Sequence, residues 1–121
     1  MPLVELTCLI VDDNASFLKA ASRLLEREGV TVSGVASNGA EALQLARELK
    51  PDVALLDIML GAESGFDVAR ELAALDGGGP TVVFVSTHAE TDFAELIDEA
   101  PAAGFLSKSE LSAEAIRQVV A

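Results

Sequence analysis

Five short apolar runs punctuate the chain, near residues 7–12, 31–36, 53–57, 81–86 and 103–106. Each is continuously apolar rather than alternating, the pattern of strands covered on both faces. Helical periodicity fills the gaps. Phe17, Ala21, Leu24, Leu25 and Glu28 share one helical spacing, which Gly29 stops. Ala42, Leu45, Ala46 and Leu49 form a second stripe; Asn38, with Glu41 three residues on, predicts its cap, and Pro51 lies past its end. Phe66, Ala69, Leu72 and Leu75 predict a third helix, closed by Gly77-Gly78-Gly79-Pro80. A fourth, over 89–98, is thinner in apolar groups, with only Phe93, Leu96 and Ile97 large. The fifth begins at Ser112, with Leu111 and Ile116 spaced as a hydrophobic staple.

Strands alternating with helices predict an α/β domain with a parallel sheet and right-handed crossovers. Ligands in such sheets bind beyond the carboxyl ends of the strands. Asp12, Asp13, Asp57, Ser86 and Lys108 all fall at or just past such ends. Three acids brought together repel, so one must hold a proton or a cation must sit among them. Oxygen-only ligands suit a hard divalent ion such as Mg²⁺, which keeps waters and accepts a phosphate oxygen. Taken singly, each residue has a plainer use. Asp12 and Asp13 fit the start of a helix, where the macrodipole favours acids, and Asp57 fits a turn cap. Ser86 fits a turn, Phe105 the core, and Lys108 and His88 solvated surface. It is their order along the chain that points to phosphoryl chemistry.

Composition narrows the partners. A chain of 121 residues makes one domain, expected to span 1–121, with enough length for a real core. No run approaches the roughly 18 apolar residues of a membrane span, and Met1–Glu5 carries no secretory pattern. The single cysteine, Cys8, rules out an internal disulfide and fits a reducing, cytoplasmic setting. Twenty acidic against eight basic residues give a net charge of −12. Binding to nucleic acid or an anionic membrane rests on Lys and Arg, so this domain is expected to contact neither directly.

The chain resembles the receiver domains of bacterial two-component response regulators along essentially its whole length. The resemblance rests on Asp12-Asp13, Leu55-Leu56-Asp57, Ser86 after Val82-Val83-Phe84-Val85, and Gly104-Phe105-Leu106-Ser107-Lys108-Ser109. It implies a flavodoxin-like, doubly wound (βα)5 fold with a five-stranded parallel sheet of order 2-1-3-4-5. It implies Asp57 as phosphoacceptor, with Mg²⁺ (or Mn²⁺) held by Asp13, Asp57 and the Met59 carbonyl, and Asp12 acting largely through water. Lys108 and Ser86 would bind phosphoryl oxygens, and Phe105 would change rotamer with Ser86. Met59 and His88 occupy variable positions that tune phosphoryl lifetime. The implied partner is a sensor histidine kinase or phosphotransfer protein. The fourth helix, fifth strand and fifth helix would form the switching face, a possible homodimer surface. Such a domain is a signalling module with intrinsic autophosphorylation and autodephosphorylation, not a metabolic enzyme. One departure stands out. Gly61 replaces the proline frequent four residues after the phosphoacceptor, and glycine should loosen the loop 60–64.

Two other classes compete. A haloacid-dehalogenase-type phosphohydrolase would need a second acid two residues after its aspartyl nucleophile, where Met59 stands. A phosphorylation-independent interaction domain would have no use for the intact acids and Lys108.

Overall fold

The computed structural model describes residues 6–88 and 92–121. Five parallel strands form one sheet: β1 (Thr7–Val11), β2 (Thr31–Ala36), β3 (Val53–Asp57), β4 (Thr81–Ser86) and β5 (Gly104–Ser107). Their spatial order is β2-β1-β3-β4-β5. The flavodoxin-like topology is the one predicted. The first strand stops one residue short of expectation, at Val11, and the last is shifted by one, to Gly104–Ser107.

Alternation along the strands divides the core. Leu9, Val11, Ala54, Leu56, Val82 and Phe84 face one side of the sheet, where α2 (Gly39–Leu49), α3 (Gly65–Ala73) and α4 (Ala94–Glu99) bury Ala42, Phe66, Leu72 and Ile97. Cys8, Ile10, Val53, Leu55, Val83 and Val85 face the other, beneath Leu25 of α1 (Ala15–Arg27) and Ile116 of α5 (Ala113–Val120). Both faces are covered, which is why the runs read as unbroken apolar stretches. A buried Leu or Phe contributes about 1.5–3 kcal/mol, so these two layers supply most of the driving force for folding.

The helix ends depart from the periodic pattern in instructive ways. Helix α1 stops at Arg27, and Glu28 instead accepts a hydrogen bond from Ala113 N (2.7 Å), joining α1 to the start of α5. In α2, Asn38 caps Glu41 N as predicted (2.9 Å), but the Glu41 carboxylate reaches back to Ser37 N and Oγ. Helix α3 ends at Ala73, before Leu75 and the glycines. Helix α4 is shorter than the predicted 89–98; positions 89–91 lie outside the described residues. Ser112 caps α5 through Ala115 N (3.0 Å), and Leu111 and Ile116 are buried in one cluster.

The loop after Asp57 is more ordered than Gly61 suggested. Met59–Leu60 and Glu63–Ser64 form a small antiparallel ladder, with Gly61 at φ +59° making its turn. Glu63 accepts from Gly39 N (3.0 Å), tying the loop to the start of α2. Ser64 caps α3 through Phe66 N (3.2 Å).

Candidate functional site

Register alone brings the charged residues to one edge. Val11 pairs with Leu56, Asp57 with Val85, and Ser86 with Ser107, so Asp12, Asp57, Ser86 and Lys108 end four neighbouring strands at a common level. Asp12 follows β1 immediately and is fully buried, while Asp13 is exposed. The split arises because Asp12 Oδ1 accepts from Asn14 N (2.9 Å), turning the chain, and Asn14 Oδ1 then caps α1 through Phe17 N (3.1 Å). The pair therefore precedes α1 and does not lie in its first turn. Asp57 is nearly buried, and its Oδ1 accepts from Met59 N (3.0 Å). Lys108 opens a 3-10 turn (Lys108–Glu110) directly after β5.

One carboxylate oxygen from each of Asp12, Asp13 and Asp57 can be chosen so that all lie within 4.8 Å of one another. Lys108 Nζ lies 3.1 Å from Asp57 Oδ2 and 2.5 Å from Asp12 Oδ2. Asp12 Oδ2 is buried, and the Lys108 ammonium is its one close polar partner among the described residues, at an angle short of a good hydrogen bond. Three carboxylates against one ammonium leave an excess of negative charge. Burial holds the Asp57 carboxyl above its ordinary range, and the charge on Asp12 pushes the same way; the hydrogen bonds from Met59 N and Lys108 offset this only in part. Burial pulls Lys108 down, but Asp12 and Asp57 together outweigh it and raise its pKa. Both groups favour their protonated forms, as expected of a site short of positive charge. All-oxygen donors, one buried acid without a hydrogen bond on Oδ2 and one acid open to solvent suit a hard, partly hydrated divalent cation.

The model of the response regulator receiver domain matches residues 8–121. The chain belongs to the response regulator receiver family. It is 38% identical over 117 residues to the response regulator GacA of Pseudomonas aeruginosa, covering 93% of this chain and 54% of that protein. It thus spans about half the length of the curated relatives it matches. Among solved structures, a LuxR-family two-component response regulator from Aurantimonas superposes with a TM-score of 0.83 at 29% identity, covering 96% of this chain and 83% of the other. A Burkholderia pseudomallei response regulator with a phosphorylated aspartic acid and a calcium ion superposes with a TM-score of 0.81 at 28% identity, covering 97% and 67%. Phosphorylation on aspartate is general in this family, as is a place in response regulators. Membership removes the phosphohydrolase alternative. Among the described residues, no helix is long and apolar enough to cross a membrane.

Within the receiver, the remaining expected residues lie around this edge. Ser86 is buried, and its Oγ accepts from His88 N (3.0 Å) and lies 3.4 Å from His88 Nδ1. His88 is exposed, yet its ring meets Phe93 edge-on at 5.8 Å, so it is anchored at the site's rim. Phe105 pairs with Phe84 and packs, half-buried, against the core cluster that holds Phe66. The Met59 side chain is 51% exposed while its N–H holds Asp57. Gly65 brings backbone close to the end of β3: its N donates to Ile58 O (2.7 Å), and a Cβ there would lie 2.2 Å from Asp57 O. Three participants escaped the sequence reading. Asn14 orders the acidic turn, Glu63 ties down the loop, and the Phe17 ring lies 4.4 Å from Lys108 Nζ. Only Asn14 carried a signal, three residues before the first large apolar residue of α1.

Proposed function

We propose that Asp57 accepts a phosphoryl group from the phosphohistidine of a sensor kinase or phosphotransfer protein, and from small donors such as acetyl phosphate. A carboxylate oxygen of Asp57 attacks phosphorus, the P–N bond breaks with its electron pair going to the imidazole, and an acyl phosphate forms. The observation that carries this reading is the triad of carboxylates closed by Lys108. An anionic nucleophile meets an anionic donor only where positive charge flanks it. Lys108 supplies one such charge and exchanges a carboxylate partner for a phosphoryl oxygen. Mg²⁺ or Mn²⁺, held by Asp13, Asp57 and the Met59 carbonyl with Asp12 acting through water, would offset the charge of the phosphoryl oxygens. Ser86 turns its hydroxyl from His88 N toward the phosphoryl group, and Phe105 moves into the space it leaves. Met59 has no side chain able to orient an attacking water, and His88 stands at the rim; these two residues tune phosphoryl lifetime.

The output follows from the same contacts. A ligand shifts an equilibrium only through differential interactions, and the bonds to Ser86 and Lys108 feed directly into β4 and β5. The surface of α4, β5 and α5 is then the face that changes its protein contacts, a second copy of the chain included. The whole span 1–121 acts as one cytoplasmic receiver domain. Intact-mass spectrometry with acetyl phosphate tests the assignment: one phosphoryl adduct with Mg²⁺, none in EDTA and none in Asp57→Asn. An adduct that persists in that variant refutes it.

A further inference from the structure

Lys108 is held from two sides, and only one of them is acidic. Its ammonium meets Asp12 and Asp57 on the inner side. The face of Phe17 lies 4.4 Å from Nζ. The Lys108 side chain is only 13% exposed, and Phe17 is half-buried against the cluster shared by α1 and α5. The ring therefore takes part in excluding water from the ammonium, and its negative π face attracts the same charge.

The position of that ring is tied to Asp12 through Asn14. Asp12 Oδ1 accepts from Asn14 N, and Asn14 Oδ1 accepts from Phe17 N, so the turn that buries Asp12 also fixes the first turn of α1. Lys108 returns from the ring to Asp12 Oδ2. Asp12, Asn14, Phe17 and Lys108 thus form a closed circuit of contacts, joining β1 and α1 to the end of β5.

We infer that Phe17 is a positioning residue for Lys108, a π lid that keeps the ammonium beside Asp57 while it exchanges a carboxylate oxygen for a phosphoryl oxygen. A hydrogen-bond acceptor on that side would compete with the phosphoryl group for the N–H donors of Lys108. An aromatic face stabilises the charge without fixing the direction of any N–H, so the ammonium can pivot. This role rests on the phosphoacceptor reading of Asp57.

The test compares wild type with Phe17→Leu, Phe17→Met and Phe17→Tyr in the full chain. Thermal melts report folding, and intact-mass time courses with acetyl phosphate and Mg²⁺ report the phosphorylation rate. NMR of the metal-free protein reports the upfield ring-current shift of the Lys108 Cε protons. Phe17→Leu and Phe17→Met are expected to lose that shift and to slow phosphorylation about tenfold, the scale of one partly desolvated cation–π contact. Phe17→Tyr keeps the shift and stays within about twofold of wild type by the same reasoning. Equal slowing in Phe17→Tyr and Phe17→Leu overturns the proposal, since bulk or packing alone would then matter. So does a ring-less variant that folds, loses the shift and phosphorylates at the wild-type rate. A wild type that takes up no phosphoryl group refutes the assignment of Asp57 and the role of Phe17 with it, whereas a normal wild type with an unaffected Leu variant refutes only the latter.

Discussion

Gly65→Ala should damage the site through the backbone, without touching a charged group. A Cβ at this position would lie 2.2 Å from Asp57 O and 2.8 Å from Ile58 Cα and Ile58 O. Ordinary Cβ contacts lie at 3.4–4 Å, so α3 and the end of β3 must part by about 1 Å, and neither is a flexible side chain able to yield. Overpacking of this kind costs about 1–3 kcal/mol. Gly65 is only the first residue of α3, so alanine regains little of the roughly 0.5–1 kcal/mol it would gain in a helix interior, leaving a net loss near the middle of the overpacking range, about 2 kcal/mol. At about 4 °C per kcal/mol for a domain of this size, the melting temperature should fall by about 8 °C. Gly39→Ala is the control. Its Cβ would meet Glu63 Oε2 at 2.7 Å and Val68 Cγ2 at 3.0 Å, both side-chain atoms, and the former can swing aside. Its loss should stay below about 1 kcal/mol. Differential scanning calorimetry of both variants in EDTA, with the acetyl phosphate mass assay alongside, measures the two consequences. Because the strain falls on the Asp57–Ile58 peptide, Gly65→Ala should also slow phosphorylation. A Gly65→Ala protein melting within about 2 °C of wild type, or a Gly39→Ala protein losing as much, would refute the argument.

The raised pKa of Asp57 makes a pH-dependent prediction for the metal-free protein. The folded state holds that proton more tightly than the unfolded chain, so its contribution to stability is complete below the ordinary value of 3.8 and is lost as pH rises through the folded value. Melts of Asp57→Asn against wild type, from pH about 3.5 to 7 in EDTA, should therefore shift in favour of the variant as pH rises; a constant difference would show that burial does not control this group. Cys8 is fully buried, and burial pushes its thiol up to about 12. Iodoacetamide should leave Cys8 unmodified in the native protein for hours at pH about 8 and label it rapidly in denaturant, and fast native labelling would contradict the placement of β1.

Much of the receiver was legible in the linear sequence because its determinants are local. Continuous apolar runs mark strands covered on both sides, and those of β2, β3 and β4 match the predicted spans residue for residue. Asn38 and Ser112 announced helix starts because a cap acts within three residues of itself. Asp12, Asp57 and Lys108 could be placed at one edge from topology alone, since parallel strands in a doubly wound sheet point their carboxyl ends the same way. What the chain could not announce depends on the third dimension. Periodicity says which face of α1 is apolar, but not that Phe17 would lie against the ammonium of Lys108 from the far end of the sheet. Glycine propensity predicted a loose loop after Asp57, and the pairing of Met59–Leu60 with Glu63–Ser64, together with Glu63 on Gly39 N, overrides it. The need for Gly65 is likewise tertiary, because only the packed position of α3 brings its Cα against the Asp57 carbonyl. Local free energies decide which elements form; close approach between elements far apart in sequence decides how the site is held.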